Sequence, residues 1–331
     1  MRGLSTLAVI LLYGAAGAAQ HEHHTAQPQG HHGSHKIAEG VKLEQRNDAA
    51  AQTLTVRLGP LNLPANSDHS AVAQAADQYL DLAFDGWIIA YHPRLTDAAG
   101  NTIPGRLLHH VAFWNVSRSD FLCPNKEERI FGAGGEMNDW PALPGFGYPV
   151  TKGTRIRVNT MFHNPADTSY PEAYIEVVME YRRADAAQLK SVYPTWFDVM
   201  ECGNSGYDLT PGQNLHKGSF TLQHTGTLLG VGGHMHDYGT LLELQNVTRD
   251  ETVARLAPQV DAEGRIRSMP IVTFLETGGY RLNRSETLRV TSAYNNRTGK
   301  PLPDGAMGIV VGYFLPEDDA EMTAHVRAAP R

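Results

Sequence analysis

Two short stretches of this 331-residue chain carry side chains able to hold a transition metal. Residues 230–239, GVGGHMHDYG, place His234 and His236 one residue apart, and residues 106–114, RLLHHVAFW, place His109 and His110 side by side. In an extended strand, residues i and i+2 project from the same face with side chains about 7 Å apart along the chain. His234 and His236 can therefore grip one ion, with Met235 turned to the opposite face. Adjacent His109 and His110 should point to opposite faces, and they share an ion only if the strand twists, bulges or ends there. Taken alone, that pleat leaves one ligand and one packed core histidine as the alternative. A third donor for each pair follows downstream. RIRVNTMFHNP brings His163 to the end of a strand, before a proline turn, and NRTGKPLPDGAMGIVVGYF brings Met307 to the start of one. Three imidazoles suit copper or zinc, whereas two imidazoles and a thioether make a soft set that suits copper, Cu(I) above all. From composition alone Met307 reads as an ordinary core methionine.

The elements that must position these donors read as short strands. TLTVRL, GWIIAYH, TRIRVNTMF, AYIEVVMEYR, TLLELQNV, ETLRVTSAY and MGIVVGYF are rich in β-branched and aromatic residues, several alternate polar with apolar, and glycines and prolines (32 and 19) punctuate them. In Thr154 to Phe162, Ile156, Val158 and Thr160 fall on one face and Arg155, Arg157 and Asn159 on the other. One stretch, HSAVAQAADQYLDLAF, is plausibly helical. Many short strands with such turns indicate an all-β chain of antiparallel sandwiches or barrels. Polar, Pro/Gly-containing sequence over residues 183–215 separates two strand-rich blocks, with one histidine motif in each. The expected organisation is a leader over 1–19, a His-rich disordered linker over 20–45, β-rich domains over 46–190 and 191–318, and a tail over 319–331.

Arg2, the apolar run Leu7 to Tyr13 and the small residues that follow have the pattern of a secretory signal cleaved near Ala18 or Ala19. The run is shorter than the roughly 17–25 residues of a membrane-spanning helix, and no later segment is long and apolar enough to span. The expected location is secreted or periplasmic. His21, His23, His24, His31, His32 and His35 lie among Gly, Pro, Gln and Ser, a composition that cannot bury a core. Such a segment serves either as a loose collector of Cu or Zn ions or as a solubilising tail. In an exported chain the only cysteines, Cys123 and Cys202, are expected to form a disulfide. The net charge of -7, without a Lys/Arg-rich tract, argues against nucleic acid as a partner. The sequons headed by Asn115, Asn246, Asn283 and Asn296 matter only in a eukaryotic secretory pathway.

The order of these pieces resembles the copper type II, ascorbate-dependent monooxygenases that hydroxylate peptidylglycine and dopamine. LLHHVAFW is similar to their Leu-His-His strand, GGEMNDWPALPGFGYPV to the Gly-rich aromatic segment after it, RVNTMFHNP to the strand ending in the third histidine, GGHMHDYG to the His-x-His strand, and PDGAMGIVVGYF to the methionine-bearing strand. FHNP and GGHMHD are also similar to the stress-up-regulated nodulin-19 group. The resemblance runs from about residue 80 to 316. It implies two jelly-roll-like antiparallel β-sandwich domains packed across a solvent-filled cleft, with two copper ions. His109, His110 and His163 would hold an electron-transfer copper, while His234, His236 and Met307 would hold the copper that binds O2 and attacks a C–H bond.

Departures from the family bear on substrate. The peptide-processing members grip a carboxylate with an Arg two residues before the His-x-His pair, where this chain has Gly232. Their polar side chains two and four residues past the methionine are Ile309 and Val311 here, and Met161 replaces a polar residue two before the third histidine. No anchor for a peptide carboxylate is evident, so amidation is not expected. The family's many disulfides are also missing. The functional expectation is an exported copper monooxygenase acting with O2 and an ascorbate-type reductant on a small organic substrate. A non-catalytic copper carrier and a metal-free structural sandwich are the alternatives. Of the remaining candidates, His224 is expected to face solvent and His92 to lie in a loop. Asp237 or Tyr238 could orient a ligand imidazole or serve the turn, and Tyr294 and Trp114 are expected in the core.

Overall fold

A computed structural model describes residues 36–326, apart from residue 138. The leader and most of the His-rich segment lie outside the described residues. The chain is all-β, and its only described helical turns are short 3-10 segments.

Strands are numbered in chain order. The first sandwich has one sheet ordered β1 (Lys42–Asp48), β2 (Thr53–Leu63), β9 (Tyr170–Arg183), β4 (Gly86–Thr96), β7 (Phe146–Val150) and β10 (Lys190–Ser191). The other is ordered β3 (Gln78–Asp81), β8 (Arg155–Phe162), β5 (Leu108–Ser119) and β6 (Glu127–Ala133). The orders 2-9-4-7 and 3-8-5-6 are those of a jelly roll, two Greek keys folded into facing sheets. The second sandwich repeats the plan. β11 (Tyr193–Asp198), β23 (Gly308–Pro316) and β14 (Gly226–Met235) form one sheet, completed by β19 (Val272–Thr273) and β20 (Tyr280–Leu282). β13 (Gly212–Thr221), β21 (Thr287–Asn296), β15 (Gly239–Asn246) and β16 (Glu251–Leu256) form the other. Two small ribbons pair β12 (Tyr207–Leu209) with β22 (Leu302–Ala306) and β17 (Gln259–Val260) with β18 (Ile266–Ser268).

Alternation builds the layers. In β8 the side chains of Ile156, Val158 and Thr160 are buried, while Arg157 pairs with Asp77 and Glu127 on the outer face. The stretch expected to be helical is not. Residues 69–77 form turns and extended chain, and Gln78–Asp81 pairs antiparallel with β8. Leu80, Leu82 and Phe84 are all buried, a period of two that decides the conformation once β8 offers its edge. β1 starts at Lys42, and an isolated bridge joins Ile37 to Gln74, so the described part of the span expected to be a disordered linker is paired chain.

The two sandwiches are tied covalently and by aromatic packing. Cys123 and Cys202 form a disulfide between the β5–β6 connection of the first and the β11–β12 connection of the second. Trp196 donates its indole N–H to the Arg129 carbonyl at 2.6 Å, and the Arg129 guanidinium lies between the Trp114 and Trp196 rings at 4.8 and 4.3 Å. Among the described residues no helix is long and apolar enough to cross a membrane.

Candidate functional site

The first histidine group depends on a break in strand pairing. β5 pairs with β8 through Leu108↔Phe162 and then His110↔Met161, so His109 is an extra residue at a bulge. A bulge places two residues opposite one and re-aims their side chains. Adjacent His109 and His110 consequently approach each other, Nδ1 to Nδ1, at 3.3 Å. His163 follows the end of β8, where its Nε2 donates to the Arg106 carbonyl at 2.7 Å and its ring lies 5.4 Å from that of His109. Asn159, on the outer face of β8, holds His110 Nε2 at 3.1 Å.

The second group follows the regular pleat. His234 and His236 lie on one face with ring centroids 5.3 Å apart, and Met235 points into the core of the second sandwich. β14 and β23 pair His234↔Ile309 and Met235↔Gly308. The same register carried one residue further sets Met307 opposite His236. One hydroxyl fixes that junction: Tyr294 accepts the backbone N–H groups of His236 (3.0 Å) and Met307 (3.2 Å), and donates to the Met307 carbonyl. Tyr294 is in the core, as its composition suggests, and its phenol also links both arms of the downstream group.

The groups meet directly. The His109 and His236 rings stand 4.6 Å apart, edge to face, so at this point the two sets abut instead of facing each other across solvent. Glu136, on the loop after β6, reaches into the second sandwich and holds His234 Nδ1 at 2.8 Å, with its side chain only 4% exposed. A carboxylate can only accept, so His234 Nδ1 carries the proton, and in the neutral ring Nε2 is the lone-pair nitrogen. Gly134 leaves the room for this contact: a Cβ there would stand 2.5 Å from the His234 ring.

Electrostatics follow from this crowding. Loss of hydration, then the neighbouring imidazoles His236, His110, His163 and His69, push the His109 pKa well below the usual imidazole value. His236 is likewise pushed well down, by burial and then by His234, His110 and His163. Burial also lowers His163. Burial works against protonation of His234, but the charge and hydrogen bond of Glu136 overcome it and raise the pKa. Neutral imidazole is the form that binds metal.

Among the described residues, no three His, Cys, Asp or Glu side chains stand at a spacing already closed around one ion. The donor chemistry nonetheless fits a metal. His234 Nε2 and His236 Nε2 are both enclosed without a hydrogen-bond partner. An unsatisfied buried polar atom costs about 1–3 kcal/mol, and a carboxylate behind a ligating imidazole is the usual support of metal-bound histidine.

Trp140 explains the position of Gly232. A Cβ on Gly232 would lie 3.3 Å from the Trp140 ring, which donates to the Gly132 carbonyl and packs against Tyr313. An indole occupies the space above Gly232, beside buried Ile309 and Val311. Glu136, Asn159 and Trp140 were not legible as site residues; Glu136 and Trp140 lie in the Gly-rich aromatic segment, whose reach across the interface local sequence does not encode. The other candidates have partners elsewhere. His224 binds Glu321 (2.7 Å) and His325 (2.8 Å) and is largely buried. His92 lies within β4 between Asp139 and Glu180. Asp237 accepts from the Ile266 N–H, and Tyr238 takes a positive φ of 70°, so both serve the turn.

Comparisons with known proteins give two distant relatives. The chain is 22% identical over 225 residues to a protein of Cochliobolus lunatus named "Probable copper-dependent oxygenase clz3", covering 64% of this chain and 71% of the relative. It is 23% identical over 225 residues to "Probable copper-dependent oxygenase M1" of a Phoma species, covering 64% of this chain and 57% of that one. No protein-family model matches. Solved structures with similar outlines include the capsid protein P2 of bacteriophage PM2 (9% identity, TM-score 0.33, 80% of this chain and 98% of that one). A peptide-N(4)-(N-acetyl-β-D-glucosaminyl)asparagine amidase is comparable (9% identity, TM-score 0.34, 77% and 100%). Likenesses this weak carry no functional argument.

Proposed function

We propose that this chain is a copper-dependent monooxygenase that hydroxylates a C–H bond of a small organic substrate, using O2 and an external one-electron reductant of the ascorbate type. The observation that carries the reading is the pair of enclosed, unpartnered Nε2 atoms of His234 and His236, with Glu136 fixing the His234 tautomer. The two relatives named copper-dependent oxygenases support the same class of chemistry. The order of ligand-type residues supports the finer likeness to the peptidylglycine and dopamine hydroxylating enzymes.

In this reading His109, His110 and His163 hold one copper ion, and His234, His236 and Met307 hold a second. Bound copper supplies one-electron chemistry and O2 activation. The overall reaction converts C–H to C–OH, with the second oxygen leaving as water after uptake of two electrons and two protons. The chain's own residues organise the site. Glu136 keeps the proton on His234 Nδ1, so Nε2 is the donor nitrogen. Tyr294 holds the Met307 backbone beside that of His236. Buried Trp140 closes the space above Gly232, and Ile309 and Val311 are buried too, so no cation stands where a substrate carboxylate would need one, which disfavours a peptide acid as substrate. The Cys123–Cys202 disulfide is compatible with export to a secreted or periplasmic location.

A copper carrier is the second reading. What favours it is composition: six histidines at positions 21–35 precede the two histidine groups in the sequence. Copper per chain and ascorbate-driven O2 consumption separate the two. Two coppers with substrate-dependent turnover support the oxygenase. Two coppers with no turnover on a broad panel of apolar substrates support the carrier. Loss of all tight copper on deleting residues 20–36 overturns both.

A further inference from the structure

His69, outside both histidine motifs, stands with the first group. Its ring lies 5.4 Å from that of His109, tilted by 54°. Three sets of contacts hold it there. Ser67 and Asn164 exchange backbone hydrogen bonds at 2.8 and 2.7 Å, which pins the loop carrying His69 to the residue after His163. The buried Gln74 amide donates to the His69 carbonyl (3.0 Å) and to the Phe162 carbonyl (2.8 Å), and its oxygen accepts from the Phe162 N–H (2.8 Å). Asp68 closes the turn by accepting from Ser70 and Ala71. A half-buried imidazole on a loop tied on both sides to the third-histidine segment is placed more strictly than a surface histidine needs to be.

We infer that His69 is a fourth imidazole donor to the copper held by His109, His110 and His163. The inference rests on the reading that this trio binds copper. Its chemical consequence is a division of labour. An all-nitrogen set of four suits tetragonal Cu(II), whereas two imidazoles and a thioether suit Cu(I). Four imidazoles would favour Cu(II) upstream and lower the potential there, so the reduced form of that ion would be the stronger reductant and electron transfer toward the His234/His236/Met307 side would run downhill. His109, whose ring touches those of both His69 and His236, lies between the two donor sets.

The test uses the full-length chain loaded with Cu(II), comparing wild type with His69→Ala, His69→Gln and His163→Ala. The His-rich segment contributes equally to each, so differences report on the site. The readouts are the number of coordinated imidazoles by pulsed EPR, Cu(II) affinity by chelator competition, and the upstream reduction potential. Both His69 variants should lose one imidazole, bind the upstream Cu(II) about ten-fold or more weakly, and shift its potential to more positive values, with the downstream copper unchanged. An unchanged imidazole count and potential in both His69 variants, with His163→Ala still weakening the site, overturns the role of His69 alone. If His163→Ala changes nothing either, the upstream copper reading itself fails. The contacts that hold the loop are made by its backbone, by Gln74 and by Asp68, not by the His69 ring, so neither His69 variant removes them; the unfolding midpoint checks this.

Discussion

The two histidine groups differ in what already satisfies them. Upstream, the ring nitrogens are engaged within the protein: His163 with the Arg106 carbonyl, His110 with Asn159, and His109 with His110. Downstream, the outward Nε2 atoms of His234 and His236 have no partner, and a buried carboxylate is committed to the opposite nitrogen of His234. The downstream group is therefore preorganised for an electrophile through Nε2; upstream, His163 and His110 are held at Nε2, the arrangement that orients Nδ1 toward an ion, and only the Nδ1–Nδ1 contact of His109 and His110 must open to admit one. The groups are also not copies of each other. The upstream histidines use β5 and β8, and the downstream donors use β14 and β23, which belong to the non-equivalent sheet of the second jelly roll. The fold repeats, but the site does not.

The comparison can be broken most severely at the sulfur. Met307→Ala should abolish oxygenation while copper stays bound to the upstream histidines; surviving turnover would show that Met307 is only a core residue. His163→Ala should stop turnover by interrupting electron supply while downstream copper is retained, and because one Cu(I) supplies only one of the two electrons, even a chemically pre-reduced sample should release no hydroxylated product. Loss of downstream copper in that variant would mean that the abutting groups bind as one unit. Glu136→Gln should weaken copper at the downstream group by about 10- to 100-fold and leave upstream affinity alone, measured by competition titration. Tyr294→Phe removes a hydroxyl shared by His236 and Met307, leaving two buried N–H groups without their acceptor. The expected cost is about 1–3 kcal/mol of stability, read from denaturant unfolding, with a smaller effect on copper than Glu136→Gln.

Local sequence was most informative where the structure follows a simple period. Ile156, Val158 and Thr160 line one face of β8, and His234 and His236 share a face where β14 ends, because both follow from the two-residue repeat of extended chain. It failed at residues 69–84, where Ala- and Gln-rich sequence has helical character but β8 supplies an edge that recruits Gln78–Asp81. No neighbouring residue in the chain marks His69. Its position depends on Gln74 reaching Phe162, 88 residues away.

The chain by itself determined that this is a β protein with two paired-histidine strands, a histidine and a methionine at later strand ends, and two cysteines, since residue type and spacing are local properties. Only tertiary structure decided that the cysteines join, that a bulge against β8 turns His109 toward His110, and that Glu136 crosses to His234. Each of those depends on which strands pair and how two sandwiches dock. That outcome is set by cooperative burial over the whole chain and is not encoded in the neighbours of any one residue.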